Sequence, residues 1–414
     1  MSLLRPLLQL SGAPSRVVAH APAARLAPWQ VAVLVGTAAG VVIGLGATAV
    51  DRSVKRRGRV ASIVAAARDP LPPDPASTPA PAIPPPSAMG SAAPPPLSAA
   101  SSPPDGDDVE PVTLEAQRAR LFPVLARELQ ISADQLDAVR AIFAASPVLG
   151  QGNPRLAKHP MSRAECRKVR ASAKVARADV ARCGAPGMVP IYDPDRGEAA
   201  ATAPACIDEL EFPNVPCEYP VVDVRASEAS ALCGAIGKRL CDAHEWEGAC
   251  AGAVRAPDAE YGWPQPRMQQ SFVHNARREV VWAYGRERDP PRCATLGTVT
   301  KGCPGGGFEL CGTNSWPAGA FPECRSPFGV YDQHGNVAEH MNLPVLPGDL
   351  AKRGGAAGFT EMKGSWFGFG RTLVHADDCR WRAPAWHESR VADPGSHWNY
   401  HLGFRCCADA PARD

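Results

Sequence analysis

Between Phe328 and His340 the chain reads FGVYDQHGNVAEH. Tyr, Asp, His, Asn and Glu crowd around one glycine, and two chemistries fit. Gly335-Asn336 supplies the positive-φ residues of a tight turn, which makes this a surface turn. Alternatively, Glu339 and turn carbonyls are hard oxygen donors, as a cation loop requires. On these residues alone the surface turn is the simpler reading. Further on, His375, His387, His397 and His401 accompany Asp377, Asp378 and Glu388. Two His and one carboxylate can hold non-haem iron. Here they form no local motif, and incidental histidines of a loop-rich region are the expectation. CPGGGFELC (Cys303–Cys311) is glycine-rich, but it neither precedes a helix nor carries Lys-Ser/Thr. It is no phosphate loop, and a disulfide-bounded turn is expected.

The elements that position these residues must be read from composition and pattern. All 14 cysteines lie between Cys166 and Cys407, an even number and a high density for one region. That suggests disulfides and an oxidising compartment; the alternative is a set of buried free thiols. The formal net charge of +2 offers no electrostatic footprint for nucleic acid.

Val31–Val50 is an uncharged apolar run with Trp29 at its edge. Its length matches the roughly 20 residues of a membrane-spanning helix. It is longer than the apolar core of a signal peptide and starts further in. Two signals conflict on orientation. Arg52, Lys55, Arg56, Arg57 and Arg59 follow the span closely and pull the C-terminal side towards the cytoplasm. The cysteines put the same side outside. An extracytoplasmic domain is the expectation, with the cytoplasmic side left open. Residues 69–108, dominated by Pro, Ala and Ser, cannot bury a core and read as a spacer. As polyproline II that spacer would reach about 120 Å.

The expected organisation is a tail (1–28), a transmembrane helix (29–50), a basic stretch with disordered linker (51–108), a helical segment (109–188) and a main domain (189–409). Val112–Ser146 reads as a helical hairpin docked on that domain, with Ser132 as an N-cap. Ser162–Cys183 is a third helix candidate, and Ala226–Leu240 and Ala243–Gly252 are two more. The rest reads as short strands joined by long loops, held by cross-links or metal.

Several pieces then follow in fixed order. ACIDELEFPN (Ala205–Asn214) precedes Glu228-Ala229, Cys233, Gly237-Lys238-Arg239-Leu240 and Glu245-Trp246-Glu247. YGW (Tyr261–Trp263), HNARR (His274–Arg278), FGVYDQHGNVAEH, KGSWFG (Lys363–Gly368) and LGFRCC (Leu402–Cys407) complete the series. The order and spacing resemble the sulfatase-modifying factor family, the formylglycine-generating enzyme-like domain. The resemblance covers about Val189–Asp409 and implies an α+β, variant C-type-lectin-like fold with much irregular structure. It implies a structural calcium ion held by carbonyls of Asp332, Gly335 and Val337 and the carboxylate of Glu339. It also implies a Cys233–Cys406 disulfide. Cys250 matches a family cysteine whose usual partner position reads Ala383, so Cys407 or Cys379 would have to substitute. Trp366, Arg380, Trp381, Arg382 and Arg405 fall where the family's substrate cleft lies; an anionic or peptide ligand would suit them, and ordinary packing of arginine against aromatic faces is the alternative.

Active family members oxidise a substrate cysteine with two copper-binding thiols, and a soft thiolate pair suits Cu(I). Here Gly368 stands at the first thiol position, and Cys379 falls one residue off the second. Copper is not expected, and Cys379 is the one catalytic candidate. The expectation is a membrane-anchored, divergent, ligand-binding domain at the cell envelope. The alternative is an oxidoreductase of the same family that matures a peptide or natural product. True formylglycine generation ranks third.

Overall fold

Hydroxyl caps start the helices ahead of the main domain. The structure, a computed structural model, describes residues 109–412 except 176–180, 301–302, 304–306, 355–357, 373–374 and 384–388. The expected transmembrane helix 29–50 and the linker 51–108 lie outside these residues. Among the described residues no helix is long and apolar enough to cross a membrane. Helix α1 (Leu114–Leu129) begins where Thr113 Oγ1 accepts from the Ala116 amide. It stops at Gln130, whose φ of 54° is left-handed. Helix α2 (Ala133–Ala145) starts with a reciprocal Ser132–Gln135 capping box. Leu121, Leu125 and Leu129 face Val139 and Phe143 at helical spacing, and all five are buried. They share one core with Ala226, Ala229 and Leu232 of helix α4 (Ala226–Ala235). The hairpin is thus part of the domain's own core.

Two helices are shorter than their patterns predict. Helix α3 (Arg163–Ser172), again opened by a capping box, ends well before Cys183, and Lys174 turns left-handed at φ 53°. Helix α4 stops before Gly237, because Arg239–Leu240 leave it to pair as strand β3 with the C-terminal strand. Helix α5 (Ala243–Ala251) follows, and α6 (Pro257–Glu260) and α7 (Arg267–Arg277) lead into the loops.

Strands β1 (Met188–Ile191), β2 (Ala205–Asp208), β3 and β7 (Cys406–Asp409) form an antiparallel sheet in the order β1-β2-β7-β3. A second sheet, β5-β4-β6, contains β4 (Ala338–Leu343), β5 (Phe359–Lys363) and β6 (Leu402–Phe404). Strand β4 is antiparallel to β5 and parallel to β6. Only Arg405 separates β6 from β7, so the chain passes from one sheet to the other across one residue.

All 14 cysteines are paired. Cys233–Cys406 is present, as the resemblance implied, and Cys241–Cys407 lies beside it. Together they pin β7 to α4 and to the residue that follows β3. Cys250 pairs with Cys379. Cys183–Cys206 ties the segment before β1 to β2 and Cys166–Cys217 ties α3 to the loop after β2, while Cys293–Cys324 and Cys303–Cys311 close loops.

Because α1 and α2 share the domain's core, Phe143→Ala should lower the stability of the whole unit by about 3–5 kcal/mol. Denaturant unfolding followed by fluorescence and by far-UV circular dichroism should shift as one transition. A separate, earlier loss of helix would show that the hairpin folds independently.

Candidate functional site

The segment Tyr331–His340 is buried throughout, so it is not a surface turn. Each polar side chain in it holds a different part of the chain. Asp332 Oδ2 accepts from the Gly319 amide at 2.6 Å, and Gln333 donates to the Trp246 carbonyl. Asn336 Oδ1 accepts from the Trp316 amide. Glu211 accepts from both Asn336 Nδ2 (2.6 Å) and the Val337 amide (3.0 Å). Gly335 has φ 78°, and a Cβ there would lie 2.5 Å from the Ala294 carbonyl, so glycine is required by both conformation and space.

The expected calcium ligand Glu339 is already engaged. Arg405 donates to its two oxygens at 2.6 and 2.7 Å, and Trp246 Nε1 donates to Oε2 at 2.9 Å. Asp332, Gly335 and Val337 do lie on the same turn. However, a guanidinium already neutralises the only carboxylate of that set and would repel a second cation. The donor set does not fit calcium as the resemblance drew it. The nearby carboxyls also resist ionisation. Burial lifts Asp332 to about 6 and Glu211 well above the usual range, the latter helped by Asp332 and Glu339.

The arginines expected to line a cleft are core residues. Arg382 and Arg405 are 0% exposed and Arg380 1%. Arg382 forks onto Glu247 at 2.7 and 2.8 Å, and Lys363 Nζ reaches the same carboxylate at 2.5 Å. Burial pushes Glu247 up, but Arg382 and Lys363 outweigh it and hold the group well below its usual range. Arg380 pairs with Glu260 at 3.1 Å. Arg380 also lines a cavity of about 350 Å³, together with Arg255, Tyr261, His274 and Arg278. Trp366 and Trp381 are half-buried and stack on His401 and His375, each at 4.5 Å between ring centroids. The expected cleft residues therefore do not form one surface.

Residues that the sequence marked only as part of a family motif carry much of this network. Glu245, Trp246 and Glu247 reach Arg239, Glu339 and Arg382 respectively from one short helix. The signal was present: three large polar or aromatic residues in a row in α5, which has no solvent-facing side.

Two sets of donor atoms converge within 4.8 Å among the described residues, and neither includes the C-terminal histidines. His387 and Glu388 lie outside the described residues. Glu247, Glu260 and His274 form the first set, and Arg382, Lys363 and Arg380 already supply its positive charge. Cys250, His334 and Cys379 form the second. His334 Nε2 lies 3.3 Å from Cys250 Sγ and 3.8 Å from Cys379 Sγ. The same nitrogen accepts from the Ala283 amide at 3.0 Å, so the ring proton sits on Nδ1. The donor types suit copper, but a soft metal binds the thiolate, and here the sulfurs are bonded to each other. At Gly368 an added Cβ would lie 2.7 Å from the Trp366 ring and closer still to Val299. The indole fills the place where the first thiol would project. The residues present do not fit copper.

Two measurements check this description. Glu339→Gln should cost about 3–5 kcal/mol, because Arg405 is left buried without its anion. Melting curves of both proteins should be indifferent to calcium and to chelator; a calcium-dependent rise in Tm for the parent protein alone would restore the cation loop. Burial lowers His334 from 6.5 to about 4. Between those values the unfolded chain binds a proton that the folded chain does not, so His334 makes stability fall as pH drops from 6.5 to 4. His334→Gln should remove that component, and the difference in unfolding free energy between the two proteins should change by about 1.4 kcal/mol per pH unit.

The sequence matches a family model described as sulfatase-modifying factor enzyme 1-like domain over residues 201–410, just over half of the chain. The match begins later than the expected boundary at 189, although β1 belongs to the same sheet as β2. The mixed helix and sheet, with short strands and long loops, fit the C-type-lectin-like variant implied for that family. No curated protein matches the sequence. Among solved structures, one titled "Crystal Structure of CarF" is similar at 11% identity and a TM-score of 0.30, covering 54% of this chain and 97% of that one. On the match over 201–410, the chain belongs to the sulfatase-modifying factor enzyme 1-like family.

Proposed function

We propose that this protein is a membrane-anchored, non-catalytic member of its family that binds a ligand at the cell envelope. One observation carries the reading: neither thiol needed for copper-dependent cysteine oxidation is available. Gly368 replaces the first, its side-chain space filled by Trp366. Cys379, next to the second position, is buried in a disulfide with Cys250. The pairing of all the cysteines supports an extracytoplasmic domain, and Val31–Val50 supplies the anchor. The cavity beside Arg380, lined by Arg255 and Arg278 as well as by Asp258 and Glu260, supports a peptide ligand with groups of both charges.

The alternative oxidoreductase would use Cys250–Cys379 as a redox pair, with His334 beside it as a base. That pair has no exposed sulfur to meet a substrate.

The test combines differential alkylation with an oxidation assay on the full chain in its native membrane. No cysteine should alkylate before reduction, and a cysteine-containing sulfatase peptide supplied with copper and oxygen should yield no aldehyde. Aldehyde formation, or a reactive Cys379, would overturn the reading.

A further inference from the structure

A second cavity lies apart from the family motifs, between α1, α3 and the loop before Tyr219. It measures about 610 Å³, which is within the usual range of about 300–1,000 Å³ for small-molecule sites. Helix α1 contributes Arg120, Val124 and Arg127, and helix α3 contributes Arg163, Arg167 and Arg170. Both sets follow i, i+4, i+7 spacing, so each helix turns one face to the cavity. The Cys166–Cys217 disulfide fastens α3 to the loop that forms the third wall.

The five guanidinium groups are not equally matched. Arg163 is buried between Glu218 (2.6 Å) and Glu110 (2.5 Å). Arg127 pairs with Glu128, and Arg170 stands 4.0 Å from Glu209. Arg120 Nη1 is shielded from solvent and has no hydrogen-bond partner. A buried donor left unmade is costly, and a charged one more so. An anion in the cavity would complete it. Beside the arginines, Val124, Val175 and Val215 give the cavity an apolar wall.

We propose that this cavity binds a small organic molecule carrying a phosphate or sulfate group. Arg120 and Arg167 hold the oxyanion, and the apolar wall takes the body of the molecule. The planar guanidinium fork matches tetrahedral oxyanions two oxygens at a time. The space is far larger than a lone oxyanion needs. The loop apart, these residues lie outside 201–410, so the site is distinct from anything the family domain supplies.

Titration calorimetry on the full chain in detergent tests this, with glucose 6-phosphate, glucose 6-sulfate, inorganic phosphate, inorganic sulfate and neutral glucose as probes. At least one ester should bind saturably and more tightly than its inorganic ion, with glucose silent, and should weaken as salt screens the arginines. Arg120→Gln should weaken that ester on the order of tenfold, as loss of a charged hydrogen bond does, without lowering the Tm of the free protein. Arg167→Gln, at the exposed rim, gives a second reading should Arg120→Gln misfold, and it should weaken the same ester by a smaller factor. Failure of both esters to bind, inorganic ions binding as tightly as the esters, or unchanged affinity in the folded variants would each overturn the proposal.

Discussion

The ion pair between Arg405 and Glu339 is the constraint around which this domain is arranged. Arg405 is the single residue between β6 and β7, at the point where the chain leaves one sheet for the other. Glu339 sits in β4, the central strand of the second sheet. The guanidinium also donates to the carbonyls of Asp208, Glu209 and Tyr331, so one side chain ties the end of β2, the loop after it and the buried turn to both sheets. Withdrawing such a pair from water is expensive. It is tolerable here because each donor finds an acceptor and the geometry is bidentate. The FGVYDQHGNVAEH stretch takes its unusual composition from this role. It is an interior junction whose side chains satisfy surrounding backbone that regular sheet leaves unpaired.

A second consequence is rigidity around helix α5. Helix α5 is closed in on all sides, with Glu245, Trp246 and Glu247 each fixed to a different element. Cys250, at the end of that helix, is joined to Cys379, and His334 packs on the bond. That corner of the core is cross-linked and sealed.

The arginines divide by environment. Arg380, Arg382 and Arg405 are matched by glutamates inside the core and serve the fold. Arg120, Arg127 and Arg167 line a surface cavity, Arg127 and Arg167 exposed and Arg120 half-buried. Residue type is the same in both groups, and neighbouring carboxylates and depth decide what each can do.

The sequence by itself determined the local features. Ser132 caps α2 because a hydroxyl followed by Gln three residues on satisfies two free amides, a rule confined to one turn. The apolar spacing of Leu121, Leu125 and Leu129 marked a helix for the same local reason. The ordered motifs from Ala205 to Cys407 were enough to name the family, and an even cysteine count in one region signalled disulfides. Tertiary structure decided the rest. Residues brought together from 66 to 135 positions apart set whether Glu339 meets a cation or Arg405 and Trp246, and whether Arg382 lines a cleft or neutralises Glu247. Cys250 could have paired with Cys407 or Cys379, and the β3–β7 register, which puts Cys407 opposite Arg239 beside Cys241, left Cys379 as its partner. Helix α4 ended early because Arg239–Leu240 found a strand partner some 165 residues later, a gain that helical propensity within the segment does not record.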